Sequence, residues 1–232
     1  MDNETRKSDM IMVWDPLVRI FHWSLVIVFT IAYLTEDEML TLHVWSGYAV
    51  GGLVFFRIIW GFIGPKHARF SDFIFGPVTT WNYLKDSTSF RAKRYLGHNP
   101  VGALMIFMLL GFLSSTVWSG LELHAVENNA GPLASTSHIT KTTAQILTTP
   151  AKADDDADTD NDDDDKKNAN RKTRDQMESS DFWEEIHEVL ANLTLLLVVA
   201  HIAGVIFSSM SHGENLIRAM VNGRKRRQSD GR

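Results

Sequence analysis

The chain of 232 residues contains no cysteine, and this absence excludes several classes of protein. Without thiols there is no disulfide framework, no Cys-ligated zinc or iron–sulfur cluster, and no covalently attached c-type haem, which needs a Cys-x-x-Cys-His run. The first nine residues are polar and no small-residue cleavage site follows the first apolar block, so we expect no cleavable signal peptide. The basic residues form no patch interleaved with aromatics, which argues against nucleic-acid binding.

Apolar residues are concentrated in four blocks, each too apolar all round for a surface helix. A block of about 20 residues spans the hydrocarbon core of a bilayer as a helix. Asp15 followed by Pro16 is typical of a helix N-terminus. We therefore predict an all-α integral membrane four-helix bundle formed by residues 16–120 and 182–210. Its spans are Pro16–Leu34, about Leu42–Ile63, Pro100–Trp118 and about Phe182–Met210.

The charges of the loops predict the orientation of the spans. The segment between the second and third blocks carries six Lys or Arg residues, and the C-terminal tail is also basic. The short loop after the first block has three acids and no base. Because cytoplasmic loops carry the excess of Lys and Arg, we predict that both termini are cytoplasmic. Residues 1–15 form a cytoplasmic N-terminal segment, and residues 211–232 form a basic cytoplasmic tail.

Residues 121–181 then form a long periplasmic loop. It holds 14 acidic and 7 basic residues, with nine aspartates between Asp154 and Asp165. Because it lacks the apolar residues that offset chain entropy, we predict that the loop is disordered. It is either a solvated spacer or an electrostatic attractant for a basic partner.

Four of the nine histidines lie in or at the edges of the spans, where ionisable residues are costly and usually functional. The predicted orientation puts His22 and His201 near the inner surface, and His43 and His187 near the outer surface. His187 and His201 are 14 residues apart, so they share one helix face at a separation of about 21 Å. The other five are interpreted as surface histidines of loops: His67, His98, His124, His138 and His212.

Two histidines at each depth, drawn from different helices, predict two stacked bis-histidine haems. The inner haem would be bound by His22 and His201, and the outer haem by His43 and His187. Three glycines near these histidines would leave room for a flat macrocycle, although glycine also serves helix packing: Gly47, Gly51 and Gly204.

Two arginines are candidate partners of the haem propionates, because a guanidinium binds carboxylates with two hydrogen bonds. Arg57 lies 14 residues after His43, at the depth of the inner histidines, where a charge needs a partner. Arg19 lies one turn before His22. For Arg19, a purely interfacial positive charge is an equal alternative.

The order and spacing of several motifs resemble the bacterial cytochrome b-561 family, which includes the cytochrome b subunits of nickel–iron hydrogenases. The similarity covers residues 12–120 and 182–227. The motifs are WDPLVRIFHW (14–23), HVWSGY (43–48), RIIWGFIG (57–64), ARF (68–70), GHNPVGA (97–103), HEVLAN (187–192) and HIAG (201–204). The resemblance implies a four-helix protein of the bacterial inner membrane with two haem b groups. It also implies that His22, His43, His187 and His201 are the iron ligands. The aspartate-rich insertion is a departure from the family pattern.

By this resemblance, the chain transfers electrons between a quinone in the lipid bilayer and a periplasmic partner, either a hydrogenase or a c-type cytochrome. It would be an electron-transfer subunit of an oxidoreductase complex, with no catalytic residue of its own. One alternative is a self-contained enzyme that couples a small molecule such as superoxide to quinone. A second is a non-redox membrane scaffold. The oligomeric state stays open, and a homodimer is compatible with the sequence.

Overall fold

The computed structural model describes residues 10–36, 38–66, 68–89, 95, 97–134, 161–213 and 215–226. Several residues discussed above lie outside these ranges: His67, Arg91, Lys93, Arg94, His138 and the five aspartates between Asp154 and Asp160. The elements, in chain order, are β1 (Met10–Met12), α1 (Pro16–Leu34), α2 (Leu40–Ile63), a 3-10 turn (Phe70–Asp72), α3 (Pro77–Thr88), α4 (Pro100–Asn128), α5 (Asn161–His212), α6 (Leu216–Asn222) and β2 (Arg224–Arg226).

The prediction of four membrane spans is confirmed. The described residues contain four helices that are long and apolar enough to cross a bilayer: Pro16–Leu34, Leu40–Ile63, Pro100–Asn128 and Met177–Ser211. The first has the predicted bounds, because the Asp15 side chain accepts a hydrogen bond from the backbone N–H of Leu17 and Pro16 occupies the first helical position. The chain is a multi-pass, all-α membrane protein apart from one short β-ribbon. The orientation stays a prediction.

The structure differs from the predicted disorder at both ends of the 121–181 loop. Helix α4 continues to Asn128, and α5 already begins at Asn161. Helix extension is cooperative, so a stable membrane span can carry its helix into a polar flank. Near the span, Arg174 and Glu178 add an ion pair of 3.9 Å at a spacing of one turn. The loop is therefore shorter than composition alone predicts.

The chain divides into two compact units, with boundaries inside α4 and α5. The first unit contains Met1–Ser114 and Asn192–Arg232, and the second contains Ser115–Ala191. Within the first, α1 and α2 pack against each other, and the Tyr33 hydroxyl lies 3.4 Å from Asn192 Oδ1 on α5. Helix α2 buries one stripe with helical spacing: Ser46, Val50, Val54, Arg57 and Gly61.

The two ends of the described chain meet in the first unit. Strands β1 and β2 are antiparallel, with Met10 opposite Arg226 and Met12 opposite Arg224. Lys225 is buried, and its ammonium lies 5.5 Å from the centre of the Trp14 ring. Residues 224–226 of the basic tail thus pack at the start of α1 and have a structural role besides their charge.

Candidate functional site

The structure brings together the rings of His22 and His201 in the first unit. His22 comes from α1 and His201 from α5, and their ring centroids are 6.5 Å apart with an interplanar angle of 56°. Two metal–nitrogen bonds of about 2 Å, plus about 1.1 Å from each nitrogen to its ring centre, would separate the ring centres of two imidazoles on one iron by up to about 6.2 Å. The observed separation therefore fits one iron between the two rings.

The environment of His22 fits the same use. Its Nδ1 is buried and has no hydrogen-bond partner among the residues that the structure describes. A buried polar nitrogen without a partner costs free energy, so such atoms commonly mark a ligand or a functional role. No group of three or more His, Asp or Glu side chains suited to a metal ion occurs in the described ranges. A haem needs only two protein ligands, because its own four nitrogens complete the iron coordination.

The ring of His43 is oriented by the backbone of the neighbouring helix. Its Nδ1 lies 2.9 Å from the carbonyl oxygen of Ala32 on α1. A carbonyl can only accept, so this bond requires the proton to be on Nδ1 and leaves the lone pair on Nε2. Metal-binding histidines typically show this arrangement, in which the second nitrogen donates to a carbonyl.

His187, in the second unit, has a closely similar environment. Its Nδ1 lies 3.0 Å from the carbonyl oxygen of Thr116 and 3.1 Å from the hydroxyl oxygen of Ser119, both on α4. Gly120 lies directly against the ring, since a Cβ there would be 2.8 Å from Cε1 of His187. Sequence reasoning missed these three α4 residues, because no short motif marks them. His43 and His187 belong to different units, so each is described in its own surroundings.

The two candidate arginines have different surroundings in the first unit. Arg57 is only 4% exposed, and its guanidinium carbon lies 4.9 Å from the centre of the Phe70 ring. Its Nη1 is buried without a hydrogen-bond partner among the described residues. Arg19 instead donates from Nη1 to the carbonyl oxygen of Val221, at 2.6 Å. Arg19 therefore ties α1 to the C-terminal segment, a role that neither sequence alternative included.

The candidate glycines lie on the predicted helices. A Cβ at Gly47 or Gly204 would meet nothing within 4 Å. Gly51 lies one turn after Gly47 on α2. Open helix surface at these positions is compatible with a flat macrocycle and equally with lipid, so their role stays a prediction.

The interpretation of His98 as a surface histidine is wrong. Its ring centroid lies 4.6 Å from that of Trp14 and 4.4 Å from that of Phe73, and the residue is half-buried. Phe73 in turn lies 5.7 Å from Phe107 of α4. His98 thus belongs to an aromatic cluster that holds the loop after α2 against α4. The aromatic residues of the loop after α2, Phe70 and Phe73, are the sequence signal that could have indicated this burial.

The comparison with protein families decides the identity of the fold. The family model described as prokaryotic cytochrome b561 matches residues 13–223 of the chain. The chain belongs to this family. The family is one of membrane b-type cytochromes, and haem b is the cofactor that it implies, which argues against the non-redox scaffold. Both the expected resemblance and the all-α fold are confirmed.

Curated relatives of this cytochrome b561 protein carry the name "Probable Ni/Fe-hydrogenase B-type cytochrome subunit". The protein from Azotobacter vinelandii is 24% identical over 156 residues, which are 53% of this chain and 62% of the relative. That from Rhodobacter capsulatus is 25% identical over 148 residues, which are 49% of this chain and 56% of the relative. The match thus spans about three fifths of each relative's length. No solved structure matches the chain.

Proposed function

We propose that this cytochrome binds two haem b groups and carries electrons between a membrane quinone and a hydrogenase on the outer side of the bacterial inner membrane. The observation that carries the proposal is the 6.5 Å separation of the His22 and His201 rings, which suits one haem iron. In this proposal the pair binds the inner haem, near the predicted cytoplasmic surface.

Arg57 supports the assignment of the inner haem. It is buried, and its Nη1 has no partner among the described residues. A buried cation without a counter-charge is strongly unfavourable, so a carboxylate supplied by a haem propionate is a suitable partner. The centre of the Phe70 ring lies 4.9 Å from the guanidinium carbon and adds a cation–π contact.

The outer haem would be bound by His43 and His187. Both histidines use Nδ1 toward a backbone carbonyl, of Ala32 and of Thr116 respectively, and this puts the lone pair on Nε2. Haem iron supplies a one-electron change between its ferric and ferrous states. The protein holds the imidazoles, keeps the proton on Nδ1 and surrounds the ligands with apolar helices, and these three factors set the reduction potential.

A hydrogenase is the partner that the relatives favour, since they are named as hydrogenase cytochrome subunits. Their low identity and partial coverage keep this assignment a proposal for this chain. A quinone is the redox carrier of matching chemistry within the bilayer, and the predicted orientation puts the hydrogenase on the side of His43 and His187.

Reduction by a quinol tests the direction of this pathway. The oxidised, detergent-purified protein is mixed anaerobically with duroquinol, and the haem absorbance is followed over time. We expect reduction of both haems in the wild type. Because the hydrogenase would meet the outer haem, the quinol should deliver its electrons to the inner one. We therefore expect the remaining inner haem of His43→Ala to be reduced as fast as in the wild type, and the remaining outer haem of His22→Ala to be reduced much more slowly. Absence of reduction would contradict the quinone assignment, and the reverse order of the two variants would put the quinol on the outer side.

A further inference from the structure

Three groups form a closed hydrogen-bonded triangle in the second unit. The Ser119 hydroxyl oxygen lies 2.9 Å from the Thr116 carbonyl oxygen and 3.1 Å from His187 Nδ1. The same Nδ1 lies 3.0 Å from the Thr116 carbonyl oxygen. Ser119 is only 1% exposed, so water does not compete for these bonds.

The direction of each bond in this triangle follows from the donors present. The Thr116 carbonyl oxygen can only accept, so the hydroxyl proton of Ser119 is used in the bond to it. The Ser119 oxygen then offers a lone pair to His187, and the carbonyl offers another. The proton in both contacts of His187 is therefore the one on Nδ1, which donates to the Ser119 oxygen and to the Thr116 carbonyl oxygen.

We propose that Ser119 is a positioning residue for the outer haem. It fixes the rotation of the His187 ring and, as a second acceptor, increases the electron density that the imidazole gives to iron. A hydrogen-bond acceptor for the imidazole nitrogen that does not bind iron makes the histidine a more basic ligand, and a more basic ligand favours the ferric state. This inference rests on the proposed role of His187 as a haem ligand. Ser119 would act on the haem through its contact with His187.

The test is a redox titration of Ser119→Ala in a His22→Ala background, which leaves only the outer haem. We expect the haem to be retained and its midpoint potential to rise, because the imidazole becomes a weaker donor. A tenfold change in the ferric-to-ferrous preference is about 59 mV for one electron. The low-spin ferric electron paramagnetic resonance signal should also shift, since the ring is free to rotate. Ser114→Ala is the matched control, because among the described residues the Ser114 hydroxyl donates to the Leu110 carbonyl one turn away on the same helix and to no histidine.

The outcomes separate the positioning role from the ligand assignment. An unchanged potential and an unchanged resonance signal in Ser119→Ala would overturn the positioning role while leaving the haem assignment intact. Retention of two haems per chain in the single variant His187→Ala would overturn the ligand assignment itself. If Ser119→Ala loses the outer haem, Ser119→Thr decides, because it keeps the hydroxyl. Recovery of the haem supports the role, and continued loss contradicts it.

A second, independent observation concerns helix α3, which lies between the second and third spans. Val78 is 70% exposed and Trp81 is 58% exposed, and Lys85 lies on the same face with its ammonium 5.5 Å from the Trp81 ring centre. The opposite face is buried at Tyr83, whose ring centroid lies 5.6 Å from that of Tyr95. The exposed face of α3 thus combines large apolar groups with an aromatic ring and a cation.

We infer that this face of α3 lies in the headgroup region of the lipid bilayer. Helix α3 (Pro77–Thr88) lies in the connection between two membrane spans, since α2 ends at Ile63 and α4 begins at Pro100. Tryptophan and lysine are enriched where apolar groups meet lipid headgroups. An amphipathic helix with these residues lies in the interface plane.

The absence of cysteine in the chain makes a site-specific test direct. Spin labels are attached to Val78→Cys and, as the matched control on another face of α3, to Asp86→Cys, both in proteoliposomes. We expect the label at position 78 to collide more with oxygen than with a water-soluble nickel chelate, and the label at position 86 to show the reverse. Equal exposure of both labels to the chelate would overturn the inference. Protection of position 78 from both reagents would indicate a protein partner and would overturn it as well.

Discussion

The substitution Gly120→Ala is a demanding test of the environment of His187. An added Cβ would lie 2.8 Å from Cε1 of the imidazole. Non-bonded carbon atoms are most favourable at about 3.5–4.0 Å, so the ring must move by about 0.7 Å or more. The ring cannot move freely, because its Nδ1 bonds to the Thr116 carbonyl and the Ser119 hydroxyl at 3.0 and 3.1 Å. A shift of that size away from α4 lengthens both bonds beyond the usual hydrogen-bond range.

The expected effect follows from these distances. Forcing one extra carbon into a packed site costs about 1–3 kcal/mol. Loss of the hydrogen bonds that orient a metal ligand typically lowers affinity by about 10–100-fold. We therefore expect Gly120→Ala to keep the inner haem and to lose most of the outer haem during purification. Haem per chain, measured by pyridine haemochrome, reports this directly.

Gly111→Ala on the same helix is the control for Gly120→Ala. A Cβ at Gly111 would meet nothing within 4 Å, so this variant should keep both haems. If Gly120→Ala retained two haems with unaltered potentials, the contact between Gly120 and His187 would have no part in haem binding, and the reasoning from these distances would be refuted.

Two further predictions concern other parts of the first unit. Arg57→Leu should weaken retention of the inner haem strongly, because removing one partner of a buried ion pair costs about 3–5 kcal/mol. Arg57→Lys keeps the positive charge and should weaken it less. Equal rates of haem loss from the two variants on detergent washing would contradict this prediction. Burial raises the pKa of Tyr83, so its contribution to stability is complete at neutral pH and is lost as the pH rises through the raised pKa. Absorbance at the tyrosinate band should therefore show a late-titrating group that Tyr83→Phe removes, and a single transition shared by all tyrosines would disprove it.

The sequence predicted those parts of the fold that depend on local chemistry. The bounds of α1 follow from the Asp15 cap and Pro16, and the depths of the histidines predict the pairing of His22 with His201, whose rings lie 6.5 Å apart. The start of α5 at Asn161 was missed, because composition does not report how far a stable span extends its helix into a polar flank.

Other features depend on contacts between segments distant in sequence. The acceptors for the imidazoles of His43 and His187 are backbone carbonyls of Ala32 and Thr116, and any residue type supplies a carbonyl. The bond from Arg19 to the Val221 carbonyl likewise joins residues at opposite ends of the chain. Such pairings are determined by tertiary packing, so no single-sequence motif could indicate them.

The measurement that tests the central claim most directly is the haem content of the purified protein and of two single variants. Pyridine haemochrome should give two haem b per chain for the wild type, and one for each of His22→Ala and His43→Ala. The spectrum and potential of the haem that remains should differ between the two variants, because each retains a different one. A single haem in the wild type, or the same haem remaining in both variants, would contradict the proposal of two haems in two histidine pairs.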